Sequence, residues 1–199
     1  MDIEKAIKNL NKRGFKTSYF ETSTQAEEYL LENIKGTTVG IGGSMTVDKM
    51  SLYEKLSENN TVWAHTYQPD RQKSLTGAYE ANVYITSANA ISEDGQIVNI
   101  DGTANRVVSS MYHKDKVYFI VGVNKFEDTL EKAIWRARNI AAPLNAKRLN
   151  RKTPCAIKGD KCYDCSSPDR ICNALVVLMG KTGGVGEMEV VIINEKLGY

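Results

Sequence analysis

Short apolar runs alternate with helical periodicity along most of this chain, and that alternation constrains the fold more than any other feature. A strand buried on both faces reads as a brief run of Val, Ile, Leu and aromatic residues, too short to form a helix of its own. Such runs fall at residues 15–20, 37–41, 61–65, 82–86, 116–123, 174–179 and 188–193. Between them, Ile3, Ala6, Ile7 and Leu10 share one helical face that Gly14 ends. Ala26, Tyr29, Leu30 and Ile34 share another, after a capping Thr22 or Ser23 and before Gly36. Further helices are expected over 47–57, 71–80, 103–111 and 144–149. The clearest spans 127–141, with Leu130, Ala133, Ile134, Ala137, Ile140 and Ala141 on one face and Pro143 beyond it. The turn Glu93-Asp94-Gly95 precedes another extended run at 96–100 and signals a hairpin. This pattern gives an α/β fold, a largely parallel sheet flanked by helices with one antiparallel element.

A length of 199 residues suits one domain, and 42% hydrophobic with 25% charged residues is ordinary globular composition. Lys and Arg number 26 against 24 Asp and Glu. That balance removes the electrostatic reason to expect a nucleic acid or an anionic membrane as partner. No apolar run approaches the ~18 residues of a membrane span, and the charged N-terminal stretch lacks the apolar core of a signal peptide. The expectation is a cytoplasmic protein, with a homo-oligomer left open by its apolar strands.

Two glycine-bearing loops can carry chemistry. The first is Val39-Gly40-Ile41-Gly42-Gly43-Ser44-Met45-Thr46, which joins a strand to a helix. Gly40, Gly42 and Gly43 let backbone amides approach an anion, and Ser44 and Thr46 add hydroxyl donors. Lacking Lys and the spacing of the known fingerprints, the loop is neither a Walker loop nor a dinucleotide motif. A tight turn with Ser44 as helix cap explains it equally well. The second loop is Asn99-Ile100-Asp101-Gly102-Thr103-Ala104-Asn105-Arg106. Asp101 or Thr103 can cap the helix that follows, with Gly102 in the turn. Asn105 offers amide hydrogen bonds, and Arg106 offers a planar fork for carboxylate or phosphate. Ligands of parallel sheets gather at the carboxyl ends of strands, so the two loops are expected to face one crevice and bind a small anionic metabolite.

All the cysteines fall in one segment, at Cys155, Cys162, Cys165 and Cys172, a C-x6-C-x2-C-x6-C pattern within the loop 152–173. The segment is polar, and in a reducing compartment clustered cysteines point to metal or redox chemistry rather than disulfides. Four thiolates suit a [4Fe–4S] cluster or a structural zinc ion, and thiolate softness does not separate the two. The isolated His65 and His113 read as structural or solvated. The basic stretch of Arg136, Arg138, Lys147, Arg148 and Arg151 reads as a solvated face that can still meet an acidic ligand or partner. No nucleophile–base pair shows in the sequence, so the catalytic residues are unknown and enzymatic activity is left open.

Several ordered strings carry a family resemblance: Asn82-Val83-Tyr84-Ile85-Thr86-Ser87-Ala88-Asn89-Ala90-Ile91, Asn99-Ile100-Asp101-Gly102, Val121-Gly122-Val123-Asn124-Lys125, Ala141-Ala142-Pro143-Leu144-Asn145-Ala146 and Val191-Ile192-Ile193-Asn194-Glu195-Lys196-Leu197-Gly198. Through them nearly the whole chain resembles the lactate-utilization (LUD) domain family. The resemblance implies a fold similar to the ribose-5-phosphate isomerase and CoA-transferase-like group, with the cysteine loop as an insertion. It also implies a role in organic-acid, lactate-like metabolism beside iron–sulfur or redox partner proteins. A redox accessory or a zinc-stapled binding module without catalysis is the alternative.

Overall fold

The computed structural model describes residues 2–199. Strands β1 (Lys16–Phe20), β2 (Thr38–Ile41), β3 (Thr61–Trp63), β4 (Val83–Thr86), β7 (Lys114–Gly122) and β10 (Val185–Ile193) form a parallel sheet in the order β1-β10-β7-β4-β2-β3. The α/β architecture with a parallel sheet is as the alternation predicts. The central strands β7 and β10 bury both faces, which is why they read as continuous apolar runs. Their side chains divide by parity. Val117, Phe119 and Val121 pack on one side of the sheet, and Tyr118 and Ile120 on the other.

The second side is covered by α2 (Ser23–Asn33), α3 (Met45–Asp48) and α4 (Leu52–Ser57), through Ala26, Leu30, Val47, Leu52 and Leu56. The first side is covered by α1 (Ile3–Lys12), α5 (Arg71–Glu80) and a second, four-stranded sheet. That sheet runs β8-β5-β6-β9, from β5 (Ala90–Ser92), β6 (Ile97–Asp101), β8 (Phe126–Glu127) and β9 (Ala174–Leu178). Its far face, with Ala90, Val98 and Ile100, packs on Ala133 of α7 (Leu130–Arg136) and on Ala137.

The second sheet corrects several expectations. The hairpin partner of β6 is β5, paired through Ala90↔Val98, whereas residues 82–86 belong to the large sheet. The run at 174–179 pairs antiparallel with β6 instead of extending the parallel sheet. Glu127, placed at the helix start by periodicity, instead pairs with β5 together with Phe126, and Thr129 caps the helix by accepting from the Lys132 amide. Phe126 is buried in the core between the sheets, which favours the strand.

Helix boundaries shift for local reasons. The helix expected over 47–57 breaks into α3 and α4 at Ser51, which takes a left-handed conformation with φ 50°. The helix expected over 103–111 is only α6 (Asn105–Ser109), entered through left-handed Ala104 at φ 64°. The long helix widens into a π segment, Ala137–Ala141, before α8 (Ala142–Arg148). Pro143 brings no N–H to the carbonyl four residues back, and such widened turns recur at functional sites. The cysteine loop contains α9 (Pro154–Lys158). Among the described residues no helix is long and apolar enough to cross a membrane.

Candidate functional site

Adjacent strands β2, β4 and β7 deliver three segments to one end of the parallel sheet: 42–46, 87–89 and the 3₁₀ turn Val123–Lys125. The loop after β6 and helix α8 close over them. The result is a crevice of two communicating parts. A small cavity of about 70 Å³ is lined by Gly43, Ser44, Ser87, Lys125, Asn145 and Arg148, among others. A larger one of about 470 Å³ is lined by His65, Arg71, Asp101, Asn105, Arg148 and Arg151, among others. Gly43, Ile100, Arg106 and Ile171 border both. Arg71, Arg106, Lys125, Arg148 and Arg151 supply cationic walls, and Asp101 is the acidic side chain among the lining residues.

Both glycine-bearing loops therefore border one crevice, but their residues do different work. Gly43 faces the open space, since a Cβ there would meet nothing closer than the His65 ring at 3.5 Å. Ser44 caps α3, accepting from the Val47 amide at 3.4 Å. Gly40 and Gly42 lie off the cavity walls. A Cβ on Gly40 would sit 2.5 Å from the Ala78 carbonyl oxygen of α5, and one on Gly42 would sit 2.6 Å from the Tyr84 hydroxyl. Both are glycines because the backbone is crowded from behind. Thr46 is buried beneath the small cavity, where its hydroxyl accepts from Lys125 at 2.9 Å.

Asp101 and Arg106 serve each other and the backbone. Asp101 Oδ1 accepts from the Thr103 and Ala104 amides, at 3.1 and 2.9 Å, and so holds the turn into α6. Asp101 Oδ2 lies 3.4 Å from Arg106 Nε. Arg106 Nη1 donates to Ser87 O and Asn99 Oδ1, and Nη2 donates to Asn89 Oδ1 and Ile100 O. The fork expected to seize a ligand is thus committed to tying β4, β6 and α6 together. Its charge still faces the crevice. Gly102 packs on the cysteine loop, with the Ile171 carbonyl oxygen 3.1 Å from the position a Cβ would take. Asn105 lines the larger cavity and accepts from the Thr103 hydroxyl at 2.5 Å.

The cations available to a ligand are others. The guanidinium groups of Arg71 and Arg151 donate to no protein acceptor among the described residues. Arg148 is aimed by Asn145 Oδ1 and the Tyr199 hydroxyl, at 2.9 and 2.8 Å. The basic stretch after the long helix is therefore partly a site wall and not only a solvated face. His65, read as structural or solvated, also lines the larger cavity. Burial, and then the Arg71 charge, hold its pKa below the usual imidazole value.

Lys125 is the residue that sequence reasoning missed. It is buried, and its ammonium group has two hydroxyls and a carbonyl as partners: Thr46 Oγ1 at 2.9 Å, Ser87 Oγ at 2.9 Å and Ala88 O at 3.2 Å. Burial, followed by the charges of Arg136 and Arg106, lowers its pKa to about 7. The string Val121-Gly122-Val123-Asn124-Lys125, a lysine just past a fully buried parallel strand, was the available signal.

The cysteine loop leans on the same crevice. Asn173 donates from its backbone amide to Asp101 O and from its side chain to Gly102 O, both at 3.0 Å. Ile171, beside Cys172, lines both cavities. Cys155, Cys162, Cys165 and Cys172 are free thiols, all half-buried. Arg170 holds the loop through Cys172 O, Cys165 O and Asp164 Oδ1. Cys162 Sγ accepts from the Asp164 amide at 3.3 Å, with Arg138 Nη2 at 3.9 Å. Burial raises the Cys172 thiol pKa; Arg170 opposes this, and Cys162 and Cys165 add to it. Among the described residues no three His, Cys, Asp or Glu side chains converge on one metal position.

The sequence matches the LUD domain family over residues 3–193. The chain belongs to that family. No curated protein matches it. Among solved structures, the crystal structure of a DUF162 family protein from Deinococcus radiodurans is similar, with a TM-score of 0.58 and 12% sequence identity over 96% of this chain and 95% of that one. At that identity the likeness is one of fold. In this LUD domain, the parallel sheet, the glycine loops and the Lys125 turn all fall within the matched residues, and so does the cysteine loop.

Proposed function

We propose that this LUD domain binds a small anionic metabolite, an organic acid or a phosphorylated compound, in the crevice at the carboxyl end of its parallel sheet. The observation that carries this reading is the set of guanidinium groups around an open cavity. The Arg71 and Arg151 guanidinium groups have no protein acceptor among the described residues, and one acidic side chain, already paired, faces them. Uncompensated cations around a concave site attract anions and hold carboxylate or phosphate by charge-assisted hydrogen bonds. Family membership favours an organic acid of the lactate type. Thermal unfolding in the presence of phosphate, lactate and pyruvate tests this. A ligand that binds the folded state raises Tm with concentration. The shift is expected in the wild type and lost in Arg148→Ala, and a wild type unmoved by every anion at millimolar concentration refutes the reading.

The cysteine loop supports a metal centre beside this site. Four half-buried thiols in one loop, with an amide N–H and the Arg138 guanidinium beside Cys162 Sγ to favour a thiolate, support this reading, and the loop would have to draw the thiols together to ligate one centre. Cys155, Cys162, Cys165 and Cys172 would hold a [4Fe–4S] cluster or a zinc ion, and the former would make the protein a partner of redox proteins. When bound, such a centre supplies either electron transfer or a structural clamp on the loop. A redox accessory or zinc-stapled binding role without catalysis has the same support, because the loop reaches the crevice through Ile171 and Asn173. Iron, sulfide and zinc analysis of anaerobically purified protein separates the two centres. Protein free of all three overturns the metal reading.

A further inference from the structure

At the floor of the small cavity, Lys125 Nζ meets three oxygens and no carboxylate. Ala88 O, at 3.2 Å, can only accept. The Thr46 hydroxyl gives its hydrogen to Leu197 O at 3.3 Å, so toward the amine, at 2.9 Å, it also accepts. A neutral amine has two N–H donors and one lone pair. The donors are used on Ala88 O and Thr46 Oγ1, and the lone pair is left for Ser87 Oγ at 2.9 Å. The other acceptor in reach of the Ser87 hydroxyl, Ala88 O, is farther away at 3.4 Å. With the amine neutral, the Ser87 hydroxyl is placed to direct its proton at Lys125 Nζ; in the ammonium form Lys125 donates to Ser87 Oγ instead.

We propose that Ser87 and Lys125 form a nucleophile–base pair that transfers the acyl group of a small anionic ester or thioester. The anionic part of this substrate class rests on the reading of the crevice given above; the pair itself rests on its own geometry. Serine is a weak nucleophile unless a base removes its proton, and a neutral lysine within hydrogen-bond reach is one recurring solution. Burial, then Arg136 of α7 and Arg106 of α6, disfavour the Lys125 charge and bring its pKa down to about 7, so that a neutral amine is available near neutral pH and predominates above it. These are the charged groups that act on it, and both are cations. The surrounding turns are held firmly: Arg106 binds Ser87 O, and Arg136 binds Asn89 O and Asn124 O.

In the first step Ser87 Oγ bonds to the acyl carbon while its proton passes to Lys125 Nζ. The bond to the leaving alcohol or thiol then breaks, and Lys125 returns the proton to that group. Water attacks the Ser87 ester in the second step, giving a proton to Lys125. The carbon–Oγ bond breaks, Ser87 recovers the proton, and a carboxylic acid leaves. Water is the only co-reactant, and nothing is oxidised or reduced. The small cavity, about 70 Å³, has room for an acyl group of a few atoms. Its shared wall with the larger cavity leads the charged remainder to Arg148 and Arg71.

The test uses the full chain and diisopropyl fluorophosphate, a neutral probe whose reaction does not depend on the cationic walls. Peptide mass spectrometry is expected to find one adduct, on Ser87. Its rate should rise with pH to a plateau, with a midpoint near 7, and fall roughly 100-fold or more in Lys125→Met. Unmodified Ser87, or labelling without that midpoint in the wild type, overturns the proposal, and so does a rate unchanged in a folded Lys125→Met. The wild-type pH profile stands even if the variant fails to fold. Phosphate titration of the same protein reads the crevice separately, so loss of anion binding and loss of the pair are told apart.

Discussion

Arg106→Ala tests whether this arginine holds the scaffold or the ligand. Its guanidinium donates to Ser87 O, Asn99 Oδ1, Asn89 Oδ1 and Ile100 O, and its Nε lies 3.4 Å from Asp101 Oδ2. The arginine side chain is 14% exposed and that of Asp101 is 7% exposed, so water replaces few of these contacts. Removing one member of a buried charge pair leaves the other uncompensated and typically costs about 3–5 kcal/mol. Asp101 keeps two backbone donors, Thr103 N and Ala104 N, which soften the loss. The expected cost is about 3 kcal/mol, a fall in Tm of roughly 6–12 °C for a chain of this length. Urea unfolding checks it, with the midpoint lowered and the slope unchanged. Arg106→Lys, which keeps the charge near Asp101 but cannot reach acceptors on both sides, should fall between wild type and Arg106→Ala. A loss below about 1 kcal/mol in Arg106→Ala would refute the scaffold role, because that is the cost of removing an exposed cation with few contacts.

The remaining predictions concern Lys125, the glycines and the cysteines. A lysine whose folded pKa lies near 7 and whose unfolded pKa lies near 10.4 makes the unfolded state the stronger proton binder between those values. Stability should therefore fall as pH drops from about 10 to about 7 and level off below, and urea titrations should show that slope reduced in Lys125→Met. Gly40→Ala drives a Cβ to 2.5 Å from the Ala78 carbonyl oxygen and should cost about 1–3 kcal/mol by urea unfolding, whereas Gly43→Ala, with 3.5 Å of clearance, should cost less than about 1 kcal/mol. Cys162→Ser and Cys165→Ser should each lower bound iron or zinc in elemental analysis without changing the far-ultraviolet circular dichroism of the α/β core.

The large parallel sheet was legible because β7 and β10 bury both faces and so announce themselves as unbroken apolar runs. The second sheet was not. Its strands β5 and β8 have three and two residues, too few to show a period, and their pairing joins residues 91 and 126. The glycine loops do border one crevice, but only the first follows a strand of the parallel sheet; the second follows β6 of the second sheet, so parallel-strand logic alone did not bring them together. The duties of their residues were not readable. Arg106 looks like a ligand fork until its acceptors at 87, 89, 99 and 100 are seen. Lys125 drew no role of its own from the sequence because its desolvation depends on Thr46 and Ser87, 79 and 38 residues away. His65 was set aside as an isolated histidine, yet Arg71 and Gly43 place it on the cavity wall.

Isothermal titration calorimetry of the wild-type protein with small carboxylates and phosphates, alongside an Arg71→Ala/Arg148→Ala double variant, tests the anion-binding crevice most directly. The wild type should bind at least one of these anions with a stoichiometry near one, and the double variant should lose at least ~10-fold in affinity while keeping its fold. Heats indistinguishable from dilution in the wild type, or equal binding by the variant, would contradict the account.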